Sequence, residues 1–305
     1  LKHRGEGYLI YLTGENIYSV LTHGRIDFNR KGLGAIKRKD IKNQRKSMRI
    51  TVTFQNIKSD RLVKLPLHYN YALQGFIYRH ISAYLASFLH NKGYRYQKRV
   101  FRLFTFSRIV GRYRIEGDKE IICFTGPISL HIASPLDDFL QEFAETLARA
   151  PEVNIENNPL VVSSIEVHFS PAIGYSAVIR MLSPLTVYST LVSAEGKKKT
   201  YYFSPFEKEF SELTRKNIVK KYISFYKRKP VSKDLKITPL KVDKKSEKII
   251  KYSPDKGAYT LIKGWMGIYR LEGNPELIRF SYDTGLGAKN SQGFGMYEVI
   301  DSPGK

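Results

Sequence analysis

The distribution of apolar residues predicts a regular succession of strands and helices from Met48 onward. The stretch MRITVTFQN alternates apolar and polar positions, which predicts a strand. Between Asn70 and His90, apolar residues recur every three or four positions and predict one amphipathic helix. The stripe of that helix comprises Leu73, Ile77, Ile81, Leu85 and Phe88. The runs FRLFTFSRI, GRYRIEG and EIICFTG follow and indicate short strands, because polar residues or glycines separate them.

The same pattern continues through the rest of the chain. A second helix is predicted from Ser134-Pro135, and the strands LVVSSIEVHF and YSAVIRML come after it. A third helix is predicted from Ser204-Pro205 to about Tyr226. The remaining apolar runs all indicate strands, and they are LKITPLKV, EKIIKYS, AYTLIKGWMGIYRL, LIRFSYD and FGMYEVI.

This order of elements predicts an α+β fold. The first half has the order strand, helix, strands, helix, strand, which is the split βαβ or ferredoxin-like plan. The second half offers a looser version, with one helix followed by many strands. We therefore predict two tandem ferredoxin-like (RRM-like) domains, residues 48–172 and 173–303, the second of which carries a C-terminal glycine-rich loop.

Residues 1–47 differ from the rest of the chain. They contain eleven Lys or Arg residues and four Asp or Glu residues, without sustained periodicity. We predict a basic extension that is disordered or weakly structured. Its composition fits either a nucleic-acid-binding arm or a solvated leader that is not native.

The charge of the chain indicates the kind of partner. The 305 residues carry a net charge of +23, and such an excess is typically compensated by a polyanion. Nucleic acid is the first candidate and an anionic membrane surface the second.

No apolar run approaches the roughly 18 residues of a spanning helix. The single cysteine, Cys123, excludes an intramolecular disulfide and a cysteine-cluster zinc site. We expect a cytoplasmic protein without a membrane partner.

The stretch TGLGAKNSQGFGM, close to the chain end, contains two pairs of glycines. It lacks the G-x-G-x-x-G spacing of a dinucleotide fold and the Gly-Lys-Ser/Thr of a Walker loop. Two alternatives stay open. The stretch is either a hairpin with special backbone angles, or a loop whose bare N–H groups face phosphates while Lys289 adds charge.

The GLGAKNSQGFGM motif resembles the terminal glycine-rich motif of the CRISPR repeat-RNA-processing endoribonucleases, the Cas-six family. Three further stretches resemble that family and occur in the same order: YALQGFIYRHI, RLFTFS and SPFEKEF. The resemblance runs from about Met48 to Asp301. It implies two ferredoxin-like folds side by side, a metal-independent cut within the CRISPR repeat, and a glycine-rich loop against the RNA or the active-site helix.

Metal-free RNA cleavage uses the 2′-hydroxyl next to the scissile phosphate as the nucleophile. It gives a 2′,3′-cyclic phosphate and a 5′-hydroxyl, and it needs a base, an acid and a cation near the phosphorane. The sequence shows no H-E-x-x-H motif and no acidic cluster with metal-ligand spacing. We therefore expect neither a metal nor a cofactor.

Helical geometry and the family motif both favour His90 as the principal acid or base. If the helix runs unbroken from Asn70, His90 lies about 260° around from Leu73, away from the apolar stripe. Tyr78 lies about 140° around, at the edge of the stripe, where its hydroxyl can reach outward. The motif places a tyrosine and a histidine at these two positions. Tyr78 is expected to transfer a second proton or to orient the substrate.

Arg102 departs from the family motif, which has a lysine just before LFTFS. Arginine supplies charge and a phosphate fork but cannot plausibly shuttle protons. We expect Arg102 to be the transition-state cation, and Lys92 or Lys98 stays open as the alternative. The basic, aromatic run KGYRYQKRVFR and the glycine motif supply the expected RNA contacts. These contacts are Lys92, Arg95, Lys98, Arg99, Gly285, Gly287, Lys289, Asn290, Ser291, Gly293 and Gly295.

The resemblance implies CRISPR repeat RNA, or its precursor transcript, as the partner. It leaves open whether the chain keeps the cut RNA, joins a CRISPR effector complex or forms a homodimer. The alternative to an endoribonuclease is a repeat-RNA-binding subunit with little cleavage. A further alternative is a generic basic RNA-binding domain outside the family.

Overall fold

A computed structural model describes residues 7–13, 16–21, 24–27, 48–58, 61–117, 120–192, 196–255 and 258–301. The elements of the first half are β1 Gly7–Thr13, β2 Asn16–Leu21, β3 Gly24–Asp27, β4 Met48–Asn56, β5 Val63–Pro66, α1 Asn70–Arg79, α2 Ala83–Ser87, β6 Tyr94–Tyr96, β7 Arg99–Phe101, β8 Thr105–Phe106, β9 Val110–Glu116, β10 Ile121–Ala133, α3 Asp137–Arg149, β11 Val153–Ile155 and β12 Asn158–Phe169. Those of the second half are β13 Ser176–Met181, β14 Tyr188–Val192, β15 Lys198–Tyr202, α4 Lys208–Tyr226, β16 Leu235–Lys241, β17 Glu247–Asp255, β18 Ala258–Trp265, β19 Ile268–Gly273, α5 Pro275–Thr284 and β20 Tyr297–Asp301.

The first half forms a ferredoxin-like sheet in which β4, β9, β10 and β12 are the four principal strands. Their spatial order is β12-β4-β10-β9, and all neighbours are antiparallel. Ser129 of β10 pairs with Thr53 of β4 on one side and Val110 of β9 on the other. In chain order the strands thus lie fourth, first, third, second, which is the split βαβ arrangement.

The second half repeats this order with β13, β16, β19 and β20. Its sheet runs β20-β13-β19-β16, again fourth, first, third, second. Helix α4 connects the first strand to the second, and α5 connects the third to the fourth. The prediction of an α+β chain with two ferredoxin-like domains is therefore confirmed, and the second half is a complete version of the plan. The exact domain boundaries stay a prediction.

The run LIRFSYD was predicted to be a strand, but it lies in helix α5. The helix begins after Asn274, whose side chain accepts a hydrogen bond from the backbone N–H of Glu276. Pro275 occupies the first turn, where its missing N–H costs nothing. In LIRFSYD the apolar residues Ile278, Phe280 and Tyr282 alternate with polar ones, which resembles a strand, although the segment is helical and seven of the ten residues of α5 are buried.

Part of the segment 1–47 forms strands instead of the expected weakly structured extension. Strand β1 pairs with the edge of β12, and β2 and β3 continue the sheet outward. The runs GYLIYLT and NIYSVL are rich in β-branched and aromatic residues, which favour strands when a sheet edge is available. The remaining residues of 1–47 lie outside the described residues.

The two halves have separate cores but a shared boundary. Leu103 follows β7 of the first half and is buried among apolar residues of the second. Arg49 at the start of β4 lies with its guanidinium carbon 3.2 Å from the centre of the Tyr282 ring. Its guanidinium also donates to the backbone carbonyls of Tyr282 and Tyr297. Within the described residues, no helix is both long and apolar enough to cross a membrane.

Candidate active site

The first helix of the sequence analysis is interrupted, and this interruption shapes the site. Helix α1 ends at Arg79, and α2 begins after Ser82, whose hydroxyl accepts a hydrogen bond from Leu85 N–H. A π-helical turn, Phe88–Lys92, follows directly. The prediction of one continuous helix to His90 is therefore wrong, and the angles calculated from it do not apply. Apolar spacing continues across the break, so the sequence pattern did not reveal it.

Tyr78 and His90 nevertheless lie side by side. Their ring centres are 6.2 Å apart in an edge-to-face arrangement, and the Tyr78 ring also packs on Phe104 at 5.7 Å. Arg102 donates a hydrogen bond from Nη2 to the backbone carbonyl of His90 over 3.2 Å. The structure therefore brings together all three residues expected to take part in catalysis.

The hydrogen bonds of His90 indicate its tautomer. The imidazole is exposed, and its Nδ1 lies 2.9 Å from Oδ1 of Asn91. The amide nitrogen of Asn91 donates to the hydroxyl of Ser87, and its oxygen faces His90. In the neutral ring Nδ1 thus carries the proton, and Nε2 is the nitrogen that can accept one from a substrate.

The hydroxyl of Tyr78 is buried and makes no hydrogen bond of normal geometry within the described residues. Burial raises the pKa of Tyr78, and the guanidinium of Arg102, which is close enough to act on the hydroxyl, only partly offsets that shift. Tyr78 therefore stays protonated near neutral pH and can act as a hydrogen-bond donor rather than as a base.

Of the three candidate cations, Arg102 is the one with a hydrogen bond to His90 among the described residues. Lys92 lies at the end of the π-helical turn, and Lys98 lies in the turn between β6 and β7. Both are exposed. Whether Arg102 or one of these lysines serves the chemistry stays a prediction.

Tyr252 and Gln74 form a second wall of the site that the sequence did not predict. The hydroxyl of Tyr252, on β17, hydrogen-bonds to the side-chain oxygen of Gln74 on α1. The Gln74 amide nitrogen in turn donates to the Ser291 carbonyl over 2.7 Å. Burial is the main cause that raises the pKa of Tyr252, and the charge of Arg102 acts against it. Gln74 is visible in the YALQGFIY motif, but nothing in the sequence links Tyr252 to it.

The glycine-rich loop connects α5 to β20 and packs against the first half of the molecule. Asn70 of α1 donates to the Gln292 carbonyl over 2.8 Å, and Thr105 of β8 donates to the Phe294 carbonyl over 3.0 Å. The loop belongs to the second half but accepts hydrogen bonds from the first. Its backbone carbonyls therefore help to hold the two halves together.

The glycines of this loop are required by the protein itself. All four have positive φ, with values of 75°, 65°, 81° and 79° for Gly285, Gly287, Gly293 and Gly295. A Cβ on Gly293 would lie 2.6 Å from a ring carbon of Phe106, and one on Gly295 would lie 1.9 Å from the Leu286 carbonyl oxygen. Side chains at these positions would collide with the fold before they met a ligand.

The expectation of bare glycine N–H groups facing phosphates needs correction at two positions. Gly293 donates its N–H to the Asn290 carbonyl over 3.0 Å, and Gly295 donates to the Pro184 carbonyl over 2.9 Å. Both amides are thus used to hold the loop in shape. RNA contact by Gly285 and Gly287, which are buried as well, stays a prediction.

Asn290 and Lys221 form the centre of the loop. The buried Asn290 amide donates to the carbonyls of Leu286 and Phe294, 2.8 and 2.9 Å away. Lys221, which is 2% exposed on α4, donates to the Gly285 carbonyl at 2.8 Å and to Asn290 Oδ1 at 2.5 Å. Burial lowers the pKa of Lys221 to about 7. Asn290 is thus a structural residue of the loop, and the buried Lys221 holds it in place.

A cleft of about 320 Å³ lies between the two halves, beside Arg102. We call it the cationic cleft. It is bounded by β7 and the residues after it, one face of α4, and the glycine-rich loop, and its polar lining includes Arg99, Arg102, Asn217, Lys221, Lys289 and Gln292. No Asp or Glu is among the described residues that line it. Such a surface attracts a phosphate-rich ligand.

Apart from the four glycines, the predicted RNA contacts divide into two groups in the structure. Arg99, Lys289, Asn290 and Ser291 line the cationic cleft. Lys92, Arg95 and Lys98 are exposed on or next to the β6–β7 hairpin and do not line it. The described residues include no group of three or more His, Cys, Asp or Glu side chains placed to hold a metal ion.

Comparisons with known proteins agree with this architecture. The family model "CRISPR-associated protein Cas6, N-terminal" matches residues 64–166, and "CRISPR associated protein Cas6, C-terminal" matches residues 170–299. A Pyrococcus furiosus protein named "Putative CRISPR-associated endoribonuclease-like protein Cas6" is 31% identical over 199 residues, which span 65% of this chain and 78% of that protein. The chain belongs to the Cas6 family. The resemblance found in the sequence is therefore confirmed.

Other Cas6 relatives cover more of the chain. "CRISPR-associated endoribonuclease Cas6 1" of Methanocaldococcus jannaschii is 29% identical over 260 residues, 84% of this chain and 94% of that protein. A solved structure described as "An RAMP protein binding different RNA substrates" superposes with a TM-score of 0.69 at 27% identity, covering 83% of this chain and all of that one. The match to Cas6 thus extends over both halves and the cleft between them.

Proposed function

We propose that this chain is a metal-independent endoribonuclease that cuts CRISPR repeat RNA within precursor transcripts. The observation that supports it most is the meeting of Tyr78, His90 and Arg102 at the edge of the cationic cleft. The membership of the Cas6 family adds to this, because relatives are named as CRISPR-associated endoribonucleases.

The proposed reaction is a transesterification at one phosphate. The 2′-hydroxyl oxygen attacks the adjacent phosphorus in line, and the bond from phosphorus to the 5′-oxygen breaks. The products carry a 2′,3′-cyclic phosphate and a 5′-hydroxyl. His90, through Nε2, takes the proton from the 2′-hydroxyl or, when protonated, gives one to the departing 5′-oxygen, and a water molecule makes the other proton transfer.

The neighbours of His90 have complementary roles in this proposal. Tyr78, kept protonated by burial, donates a hydrogen bond to a phosphate oxygen or orients the sugar. The Arg102 guanidinium faces the negative charge that grows on the phosphorane. A cation and a donor that are already in place need little reorganisation during the reaction, which is the basis of electrostatic catalysis.

The charge of the protein supports RNA as the substrate. A net charge of +23 and a cleft lined by arginines and lysines give strong, salt-sensitive attraction to a phosphate backbone. After the cut, the same contacts would hold one product, so the chain would retain the processed RNA. Assembly into an effector complex or a homodimer stays a prediction.

A second candidate is a repeat-RNA-binding subunit with little cleavage. Two observations favour it: Arg102 stands where the family motif has a lysine, and the Tyr78 hydroxyl is buried without a regular hydrogen bond. Either feature would weaken proton transfer while leaving the cleft able to bind RNA.

The proposal is tested with a repeat RNA from the same genome, incubated with the protein in EDTA, followed by mapping of both new ends. We expect one cut within the repeat, a cyclic phosphate and a 5′-hydroxyl. A cut that EDTA abolishes would refute metal independence, and tight binding without a cut would favour the second candidate. Equal affinity for an unrelated RNA at the same salt concentration would instead indicate a generic RNA-binding domain.

A further inference from the structure

The cationic cleft contains more than positive charge. Two amide side chains line it, Asn217 from α4 and Gln292 from the glycine-rich loop. Their oxygens, Oδ1 of Asn217 and Oε1 of Gln292, are buried and have no hydrogen-bond partner among the described residues. Buried polar atoms normally have a partner, so each such atom marks an incomplete site.

The third amide at the cleft provides a contrast. Asn290 uses both ends of its amide, with two carbonyls bound to its nitrogen and Lys221 bound to its oxygen. The protein therefore fixes Asn290 completely, whereas no described bond fixes the oxygens of Asn217 and Gln292. These two oxygens can therefore accept a hydrogen bond from a ligand without giving up a described protein partner.

The charges of the cleft lie on the same walls as the amides. Arg99 comes from β7 and Lys289 from the loop, and Lys216 and Lys220 flank Asn217 in an adjoining recess. Burial, and then the charges of Arg99 and Lys216, lower the pKa of Lys220. Positive groups thus repel one another here, and a bound phosphate would relieve that repulsion.

An aromatic ring completes the lining. Tyr188 of β14 faces the cleft, and the Lys289 ammonium lies 5.5 Å from the centre of its ring. Aromatic rings beside cations are common supports for unpaired bases, since a base stacks on the ring while its phosphate meets the cation. Cation, ring and base-reading amide are therefore combined in one cavity.

We propose that the cationic cleft holds one unpaired nucleotide of the RNA next to the cut site, with its base edge facing Asn217 and Gln292 and its phosphate facing Arg99 and Lys289. The amide groups suit this role because an asparagine or glutamine offers a donor and an acceptor together, as a base edge does. The volume of about 320 Å³ fits one nucleotide rather than a duplex, whose bases are already paired.

The inference rests on the proposed RNA substrate but concerns base selectivity and not cleavage. Arg102 lines the cleft and also contacts His90, so a nucleotide bound here would lie directly beside the reacting phosphate. Asn217 and Gln292 would then act as specificity-determining residues. Neither has a described contact to His90 or Tyr78, although the Gln292 side chain also hydrogen-bonds to Tyr252 in the second wall of the site.

The experiment combines protein variants with a set of repeat RNAs, each with one base replaced near the cut site. Wild type, Asn217→Ala and Gln292→Ala are compared by equilibrium Kd and by single-turnover cleavage rate. Gln141→Ala is the matched control, because it removes an exposed helical amide that does not line the cleft. Thermal melting of every variant verifies that it is folded.

We expect one position at which wild type and Gln141→Ala discriminate between bases by roughly tenfold, the usual size of a direct base contact. At that position the discrimination should fall below about twofold in both Asn217→Ala and Gln292→Ala. Other positions should keep their wild-type pattern.

Two other outcomes would each refute one of the two claims, the nucleotide site or the endonuclease activity. If wild type cuts but both variants keep the wild-type base preference everywhere, or lose affinity equally at all positions, the nucleotide site is wrong and the endonuclease stands. If base preference in binding disappears at one position in the variants but wild type never cuts, the nucleotide site stands and the endonuclease is wrong.

Discussion

The two halves of the molecule share one strand order but differ in their first helix. In the first half, α1 stops after ten residues, and a short helix and a π-helical turn follow. In the second half, α4 continues for nineteen residues without a break. The interrupted helix places His90 beside Tyr78, whereas the continuous helix presents Asn217 and Lys221, four residues apart, to the cationic cleft.

If the proposed function holds, the difference gives each half its own task. A break within a helix redirects a side chain toward a group on an earlier turn, which suits residues that must meet in a reactive geometry. A straight helix displays polar residues in a row, which suits binding and support of a loop. The first half would thus supply the catalytic residues. The second half would supply the glycine-rich loop and most of the binding surface.

The strongest test of this division is His90→Ala. We expect the single-turnover cleavage rate to fall by about 100-fold to 10,000-fold, because a proton-transfer group is removed. The Kd for the repeat RNA should change little, since the cleft is untouched. His68→Ala serves as the control, because the described interactions of His68 are with Glu120, Lys251 and Arg108 and none is with Tyr78 or Arg102. An undiminished rate in His90→Ala would place the chemistry elsewhere.

A second test addresses the glycine-rich loop, which holds the two halves together. Gly295→Ala should lower the free energy of unfolding by roughly 4 kcal/mol or more, because its Cβ would meet the Leu286 carbonyl and its backbone would be strained. Gly126→Ala is the matched control: its φ is 74°, but no atom lies within 4 Å of its Cβ position. That variant should lose only about 1–2 kcal/mol. Urea unfolding distinguishes them, and equal losses would mean that the close approach is unimportant.

Arg102 provides a third, somewhat smaller test. Arg102→Ala should slow cleavage by about 100-fold, the usual effect of losing one stabilising donor. Arg102→Lys keeps the charge and should remain within about tenfold of wild type. Arg112→Ala, an exposed arginine on β9, is the control. A fully active Arg102→Ala would indicate that Lys92 or Lys98 is the relevant cation.

The smallest expected effect concerns Lys221 and pH. Its pKa is about 7 in the folded chain and about 10.5 when exposed, so the unfolded chain binds more protons between these values. Wild-type stability should therefore rise with pH from about 7 to 10 by up to about 1 kcal/mol per unit.

The comparison uses Lys221→Met, which lacks this rise, and Lys208→Met, an exposed lysine of the same helix, which should retain it. The measurement is the free energy of unfolding in urea at pH 7.5 and pH 9.5. Parallel curves for wild type and Lys221→Met would show that Lys221 titrates normally and is not a buried anchor of the loop.

Sequence patterns predicted much of this fold because the apolar core residues of most elements recur with the period of a strand or a helix. The alternation in MRITVTFQN and the stripe of α4 are examples. Helix α5 was missed because the apolar residues of LIRFSYD alternate with polar ones as in a strand, although Asn274, Pro275 and Glu276 carried the signals of a helix start. The break after Arg79 was missed because the apolar spacing does not change there.

The candidate site was predictable to a similar extent. The motif indicated Tyr78, His90 and Arg102, and these residues meet. The burial of Lys221 could not be predicted, because a lysine within a Lys-Lys pair on a helix normally faces solvent. The sequence left two roles open for the glycines, special backbone angles or contact with phosphates, and only the packed structure shows that protein atoms occupy the space beside them.

The most direct test of the central claim uses two repeat RNAs that differ in one atom. One carries a normal ribose at the cut site, and the other carries a single 2′-deoxy sugar there, both in the presence of EDTA. We predict equal binding of the two RNAs, a cut with a cyclic phosphate in the first, and no cut in the second. Cleavage of the deoxy substrate at the same bond would show that the 2′-hydroxyl is not the nucleophile and would contradict the proposed mechanism.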